Sequence, residues 1–157
     1  MFHIVLFEPE IPANTGNIIR LSANAGMQLH LIKPLGFDLD DKKLRRAGLD
    51  YHEWAMIQLH ESLDDFFSKV QPKRIFALTT KGKTIYSDAK FEDGDTFLFG
   101  CETRGLPKEI LEMIGENCLY LPMQPESRSL NLSNTVAILL YEAWRQIKFS
   151  GAAIKST

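Results

Sequence analysis

The first 33 residues constrain the fold more than any other part of the chain. The apolar run Phe2 to Phe7 reads as a strand, stopped by Glu8-Pro9-Glu10. A helix follows, with Asn14 or Thr15 expected as its N-cap and Gly26 as its C-terminal stop. Ile18, Leu21 and Ala25 recur at spacings of three and four and give it one apolar stripe. Gln28 to Ile32 reads as a second strand, closed by Pro34. A strand, a helix and a strand in this order form a unit that argues for a parallel sheet with a right-handed crossover.

The alternation continues downstream. Asp40 to Ala47 reads as a short basic helix ending at Gly48, and Trp54 to Leu59 as a strand. Glu61 or Ser62 opens a helix that carries Leu63, Phe66, Phe67 and Val70 on one face. Strands are expected at Arg74 to Thr79, Thr96 to Gly100 and Cys118 to Leu121, and Pro107 begins a helix that runs to Ile114. No linker or repeat interrupts the series, and 157 residues suffice for one core. The expectation is an α/β fold: a single domain over 1–157 with a mostly parallel sheet and helices on both faces.

A last helix is expected from Asn131 to Lys148. Leu132, Val136, Leu139, Leu140, Ala143 and Ile147 make one broad stripe on it, and Ala137, Ile138, Tyr141 and Trp144 add apolar surface elsewhere. A helix apolar around so much of its circumference needs cover on two sides. The sheet supplies one; a second copy of the chain is the simplest source of the other, so a homodimer is expected.

Composition narrows the partners. The net charge is −2 and the pI near 6.1, so the whole-protein field does not attract nucleic acid, and any RNA must be held by a local patch. Lys42, Lys43, Arg45 and Arg46, with Lys81 and Lys83 in a strand-end loop, are the basic residues available for one. No apolar run reaches the length of a membrane span, and the N-terminus lacks the basic start and long apolar region of a signal peptide. Cys101 and Cys118 have no metal-ligand spacing and read as reduced thiols, in keeping with the cytoplasm. His3, His30, His52 and His60 show no such spacing either, so no metal is expected; His52 reads as a structural histidine in a loop. Neither a phosphate-binding G-x-x-x-x-G-K-[ST] nor a G-x-G-x-x-G is present, and there is no G-x-S-x-G elbow.

Open parallel sheets bind ligands beyond the carboxyl ends of their strands. Four such ends carry loops of small polar residues, glycine and proline: Pro12 to Asn17, Thr79 to Gly82, Gly100 to Gly105 and Pro122 to Pro125. The polar run Ser127 to Asn134 precedes the last helix. A cap needs one or two polar side chains, and this stretch has six in eight positions, with Arg128 surplus to capping.

These loops carry a resemblance. Asn14-Thr15-Gly16-Asn17-Ile18-Ile19-Arg20, Phe99 to Leu106, and Leu121-Pro122-Met123 with Ser127 to Asn134 are similar, in order, to the three motifs of the SPOUT methyltransferases, over nearly the whole chain. The stretch Asp41 to Glu53 resembles the small tRNA (cytidine/uridine-34) 2′-O-methyltransferases within them. Cys101 stands where the family pattern has proline, between an intact Gly100 and Glu102. The resemblance implies a C-terminal trefoil knot, S-adenosyl-L-methionine as methyl donor without a metal, tRNA as partner, and a homodimer whose active site draws on both subunits. It also implies 2′-O-methylation of the wobble nucleotide. The alternatives are another tRNA position, ribosomal RNA, or a non-catalytic RNA-binding protein of the same fold.

By motif position the catalytic residues implied are Asn14, Arg20, Glu102, Ser129 and Asn131. The cofactor-binding residues implied are Leu78, Gly100, Leu121, Met123, Ser129 and Leu130, and the RNA-binding residues are Lys42, Arg45 and Arg46. Arg20 cannot act as a literal base, because a guanidinium stays protonated at any working pH. Its expected role is to lower the pKa of a ribose hydroxyl and to bind a phosphate.

Overall fold

A computed structural model describes residues 1–155. Strands β1 (His3–Phe7), β2 (Gln28–Ile32), β3 (Ile57–His60), β4 (Ile75–Leu78), β5 (Thr84–Ile85), β6 (Thr96–Phe99) and β7 (Cys118–Tyr120) form one sheet in the order β3-β2-β1-β6-β4-β7-β5. Every pairing in it is parallel, a stricter outcome than the mostly parallel sheet expected. The helices are α1 (Pro12–Ala25), α2 (Lys42–Arg45), α3 (Tyr51–Ala55), α4 (Leu63–Val70), α5 (Lys108–Ile114) and α6 (Leu132–Gln146).

Side chains alternate across the central strands and build two cores. Ile4, Leu6, Phe76, Leu78, Phe97 and Phe99 point to one face, where Ile18 and Ile19 of α1 and Val136, Leu139, Leu140 and Ala143 of α6 cover them. Val5, Ala77 and Leu98 point to the other, beneath Leu63 and Phe66 of α4, with Ile110, Leu111 and Ile114 of α5 packed alongside. Helices therefore lie on both faces, as expected. Ile138 and Tyr141 of α6 remain exposed, at 38% and 44%.

The same alternation sets three histidines in a diagonal row on the α4 side. His3 Nδ1 lies 2.9 Å from His30 Nε2, and His30 Nδ1 lies 2.9 Å from His60 Nε2, one step per strand across β1, β2 and β3. Phe66 meets the rings of His30 and His60 edge-on.

Four local expectations need correction. α1 begins a full turn earlier than Asn14 or Thr15: Ile11 is its N-cap residue and Pro12 sits in the first turn, where its missing N–H costs nothing. Asn14 and Thr15 lie inside the helix and are buried. Trp54 belongs to α3 and not to a strand, because Asp50 and Glu53 close a reciprocal capping box that starts a helix at Tyr51. His52 consequently sits in that helix, exposed, with its ring edge against Tyr51, and not in a loop. The basic helix is a single turn, Lys42–Arg45, with Asp41 accepting from the Lys43 N–H. Gly26 (φ 69°) and Gly48 (φ 68°) close α1 and the basic turn in the left-handed region, as glycine allows.

Candidate active site

The carboxyl ends of β4, β6 and β7 open into one cavity of about 470 Å³, within the roughly 300–1,000 Å³ typical of small-molecule sites. Its walls come from the start of α1, the loop Thr79 to Lys81, the loop Gly100 to Leu106, and the segment from Leu121 through Thr135.

Two glycines let these loops close against backbone. A Cβ on Gly100 would lie 2.2 Å from the Gly105 carbonyl carbon, and one on Gly82 would lie 2.4 Å from that of Leu119. Neither overlap can be relieved by rotating a side chain, so glycine is required at both positions. The loop after β6 is a tight reversal, closed by the Gly105 N–H donating to the Cys101 carbonyl at 3.0 Å.

At one rim of the cavity the first and last motifs meet. The Glu102 carboxylate accepts the backbone N–H of Glu10 at 2.9 Å and that of Ile11 at 2.6 Å, and so satisfies the N-cap donor of α1 and that of the residue before it. In return Glu10 accepts from the Thr103 hydroxyl at 2.6 Å and from its N–H. The bonds from Thr103 hold the Glu10 carboxyl below its ordinary pKa. Asn14 Nδ2 donates to Glu102 at 3.4 Å, and Asn131 Nδ2 donates to Asn14 Oδ1 at 3.0 Å. Asn131 also caps α6, its Oδ1 accepting from the N–H groups of Ser133 and Asn134. Residues 117 positions apart are joined by a single hydrogen bond, and a chain of amide and carboxylate groups runs along the cavity edge.

Of the residues implied as cofactor-binding, Leu78, Gly100, Leu121, Met123, Ser129 and Leu130 all line the cavity, and so do Asn14, Glu102 and Asn131. Arg20 does not line it, and neither do Lys42, Arg45 or Arg46. Arg20 lies farther along α1, where its Nη2 donates to the Gly48 carbonyl at 2.7 Å and its Nε to Glu53 at 3.3 Å. The basic turn packs directly on α1: a Cβ on Gly16 would come within 2.9 Å of Ala47 Cβ. Glu10 escaped sequence reasoning, because a lone glutamate between Pro9 and Pro12 carries no signal of its partner. The role of Glu53 was missed as well, although an Asp three residues before a Glu is a capping signature.

The cavity fits an amphiphilic small molecule. Leu78, Leu121, Met123 and Leu130 offer apolar wall, the tight Gly100 loop offers backbone, and Thr79, Thr80 and Ser129 offer hydroxyls. Such a cavity at the strand ends of a parallel sheet, bordered by a fixed amide–carboxylate chain, defines an α/β enzyme that binds a small cofactor or substrate. The chain belongs to the SpoU rRNA Methylase family, which matches residues 1–141, and it is a methyltransferase.

A tRNA (cytidine(34)-2'-O)-methyltransferase of Methylovorus glucosotrophus (strain SIP3-4) is 60% identical over 153 residues, covering 97% of this chain and 99% of the relative. A solved structure bearing on the 2-OH methylation of C/U34 on tRNA is 45% identical, with a TM-score of 0.87 over 94% of this chain and 97% of that one. An AdoMet-bound rRNA methyltransferase from Sinorhizobium meliloti is 26% identical, with a TM-score of 0.78 over 93% of this chain and 56% of that one.

Proposed function

We propose that this chain, as one domain over 1–157, methylates the 2′-oxygen of the wobble nucleotide, cytidine or uridine 34, in the anticodon loop of tRNA. The observation that carries the reading is the hydrogen-bonded chain Asn131–Asn14–Glu102 at the rim of a cavity lined by all six residues implied as cofactor-binding. The full-length similarity to a tRNA (cytidine(34)-2'-O)-methyltransferase supports the same substrate.

S-adenosyl-L-methionine fits the cavity, and when bound it supplies a methyl group already activated by its sulfonium. Leu78, Leu121, Met123 and Leu130 would hold its apolar parts, and the Gly100 loop and Ser129 its polar ones. The work left to the protein is to orient a ribose hydroxyl and to ease the loss of its proton. Asn14 and Asn131 are locked by their mutual bond and present fixed donors and acceptors at the rim. Glu102 ties α1 to the cofactor loop, so the nucleophile's platform and the methyl donor's share one frame. Arg20, permanently cationic, stabilises developing negative charge on the 2′-oxygen and binds the adjacent phosphate. Lys42, Arg45 and Arg46, on the turn packed against α1, contact the RNA backbone.

The same reading includes a homodimer formed through the exposed face of α6, with Ile138 and Tyr141 in the contact, and a C-terminal trefoil knot. A tRNA-modifying role places the protein in the cytoplasm, and no helix among the described residues is long and apolar enough to cross a membrane. The test is to incubate the enzyme with labelled S-adenosyl-L-methionine and native tRNA and to locate the label by nucleoside mass spectrometry. Label at nucleotide 34 is expected; label elsewhere in tRNA, or only in ribosomal RNA, overturns the assignment.

A further inference from the structure

Arg20 sits on an exposed stretch of α1, where a long side chain would ordinarily sample many rotamers, yet it is held at two points. Nη2 donates to the Gly48 carbonyl at 2.7 Å and Nε donates to Glu53 Oε2 at 3.3 Å. Both partners engage the Nε–Nη2 side of the guanidinium. No hydrogen bond among the described residues uses Nη1, so that end of the fork is open to a ligand.

Glu53 is itself fixed. Its side chain is only 14% exposed, against 47% for Arg20. One oxygen, Oε1, accepts the Asp50 N–H at 3.1 Å, and Asp50 in turn accepts the Glu53 N–H at 2.9 Å, which closes the capping box of α3. The other oxygen faces Arg20. A single carboxylate thus starts α3 and orients the arginine, and the segment that Arg20 grips, from Gly48 to Glu53, directly follows the basic turn Lys42–Arg45.

The geometry points to Glu53 as a positioning residue for Arg20: it does not touch the reacting atoms, but fixes the guanidinium so that its open end is presented in one orientation. This rests on the catalytic role of Arg20 set out under the proposed function. An arginine preorganised by a fixed carboxylate loses less freedom than a free one on meeting the alkoxide charge that develops only in the transition state, and that benefit falls on the chemical step. The substrate's ground-state binding, dominated by the basic turn, changes little.

The test compares Glu53→Gln and Glu53→Ala, each in the wild-type and the Arg20→Ala background. Glutamine can still serve in a capping box, so Glu53→Gln keeps α3 while removing the anionic partner of Arg20. The expected result is a melting temperature for Glu53→Gln within a degree or two of wild type, with dissociation constants for tRNA and cofactor within threefold. Single-turnover methyl transfer should fall about tenfold in Glu53→Gln and further in Glu53→Ala. In the Arg20→Ala background neither substitution should cost more than a further twofold, because the residue it positions is gone. Proton–nitrogen spectra should show a protected Arg20 Nε–H in the wild type that is lost in Glu53→Gln.

Multiplicative losses in the double variants, or a wild-type transfer rate in Glu53→Gln, would overturn the positioning role. A wild-type enzyme that labels no tRNA at all would overturn the proposed function and this inference with it. A wild type that labels tRNA while Glu53→Gln does so equally fast overturns the inference alone.

Discussion

Lowering the pH from 7 to 5 should cost the fold about 2 kcal/mol through one side chain, His30. This imidazole is 1% exposed, shares hydrogen bonds with His3 and His60, and is faced by the ring of Phe66. Burial, and after it the neighbouring His3 and His60, pushes its pKa from 6.5 down to about 3. A histidine depressed in the folded state stays neutral while the unfolded chain takes up a proton. Its neutral form is therefore accommodated without penalty above pH 6.5, and stability falls as the pH drops from there towards 3. Each pH unit inside that window costs about 1.4 kcal/mol, and the interval from 7 to 5 integrates to about 2 kcal/mol because titration of the unfolded chain has only begun at 7. His3 and His60, both lowered chiefly by burial, act in the same direction, whereas Asp95, raised by burial, acts against it. Stopping at pH 5 avoids the range in which the lowered carboxyls of Glu10 and Asp65 take up protons. The assay is urea unfolding of the wild type and of His30→Leu at both pH values, at one fixed protein concentration. Leucine removes the titration and also two hydrogen bonds, so the comparison is of the pH-induced change in each protein and not of absolute stabilities. The wild type should lose about 2 kcal/mol more than the variant; equal losses would refute the reasoning.

Four further outcomes are expected. Arg20→Ala should lower single-turnover methyl transfer by about 10²-fold or more, while Arg20→Lys keeps measurable activity; an Arg20→Lys rate that climbs steeply as lysine deprotonates would instead mark a base. Arg45→Ala with Arg46→Ala should weaken tRNA binding and lower its log–log salt slope by about 0.7–0.9 per lost phosphate contact, leaving cofactor affinity, measured by calorimetry, unchanged. Tyr141→Glu should sediment as a monomer at micromolar concentration, because it puts a charge on the exposed apolar face of α6. Gly100→Ala should destabilise the protein by about 3 kcal/mol or more in urea unfolding, since the added Cβ meets backbone at 2.2 Å.

Most of the fold was legible because its signals are local. β2 was read to the residue, and Ser62, Gly26 and the turn at Gly48 ended or began elements as their side chains and φ angles require. Trp54 was misread because an aromatic beside Ile57 and Leu59 suits a strand by propensity, while the capping box that overrides it lies four residues upstream. β5, two residues long, is too short to carry any period. The cavity wall was readable from loop composition and resemblance. What joins its parts was not: Asn14 to Asn131, Glu10 to Thr103 and His3 to His30 to His60 are pairings that only strand order and register determine. Four histidines without ligand spacing give no hint that three of them stand on neighbouring strands.

The strand order has a consequence for biosynthesis. β1 pairs with β2 on one side and with β6 on the other, and β6 alone joins β1 to β4. A ribosome that has finished Phe7 must add residues up to Thr96 before the missing neighbour exists, on the order of 4–18 s at about 5–20 residues per second. Through that interval one flank of β1 has no strand to pair with: Ile4 and Leu6 lack Phe97 and Phe99 beside them on one face of the sheet, and Val5 lacks Leu98 on the other. The nascent N-terminal half is therefore the stage at which this protein is most exposed to association with other nascent chains, and the arrival of four residues, Thr96–Phe99, ends it.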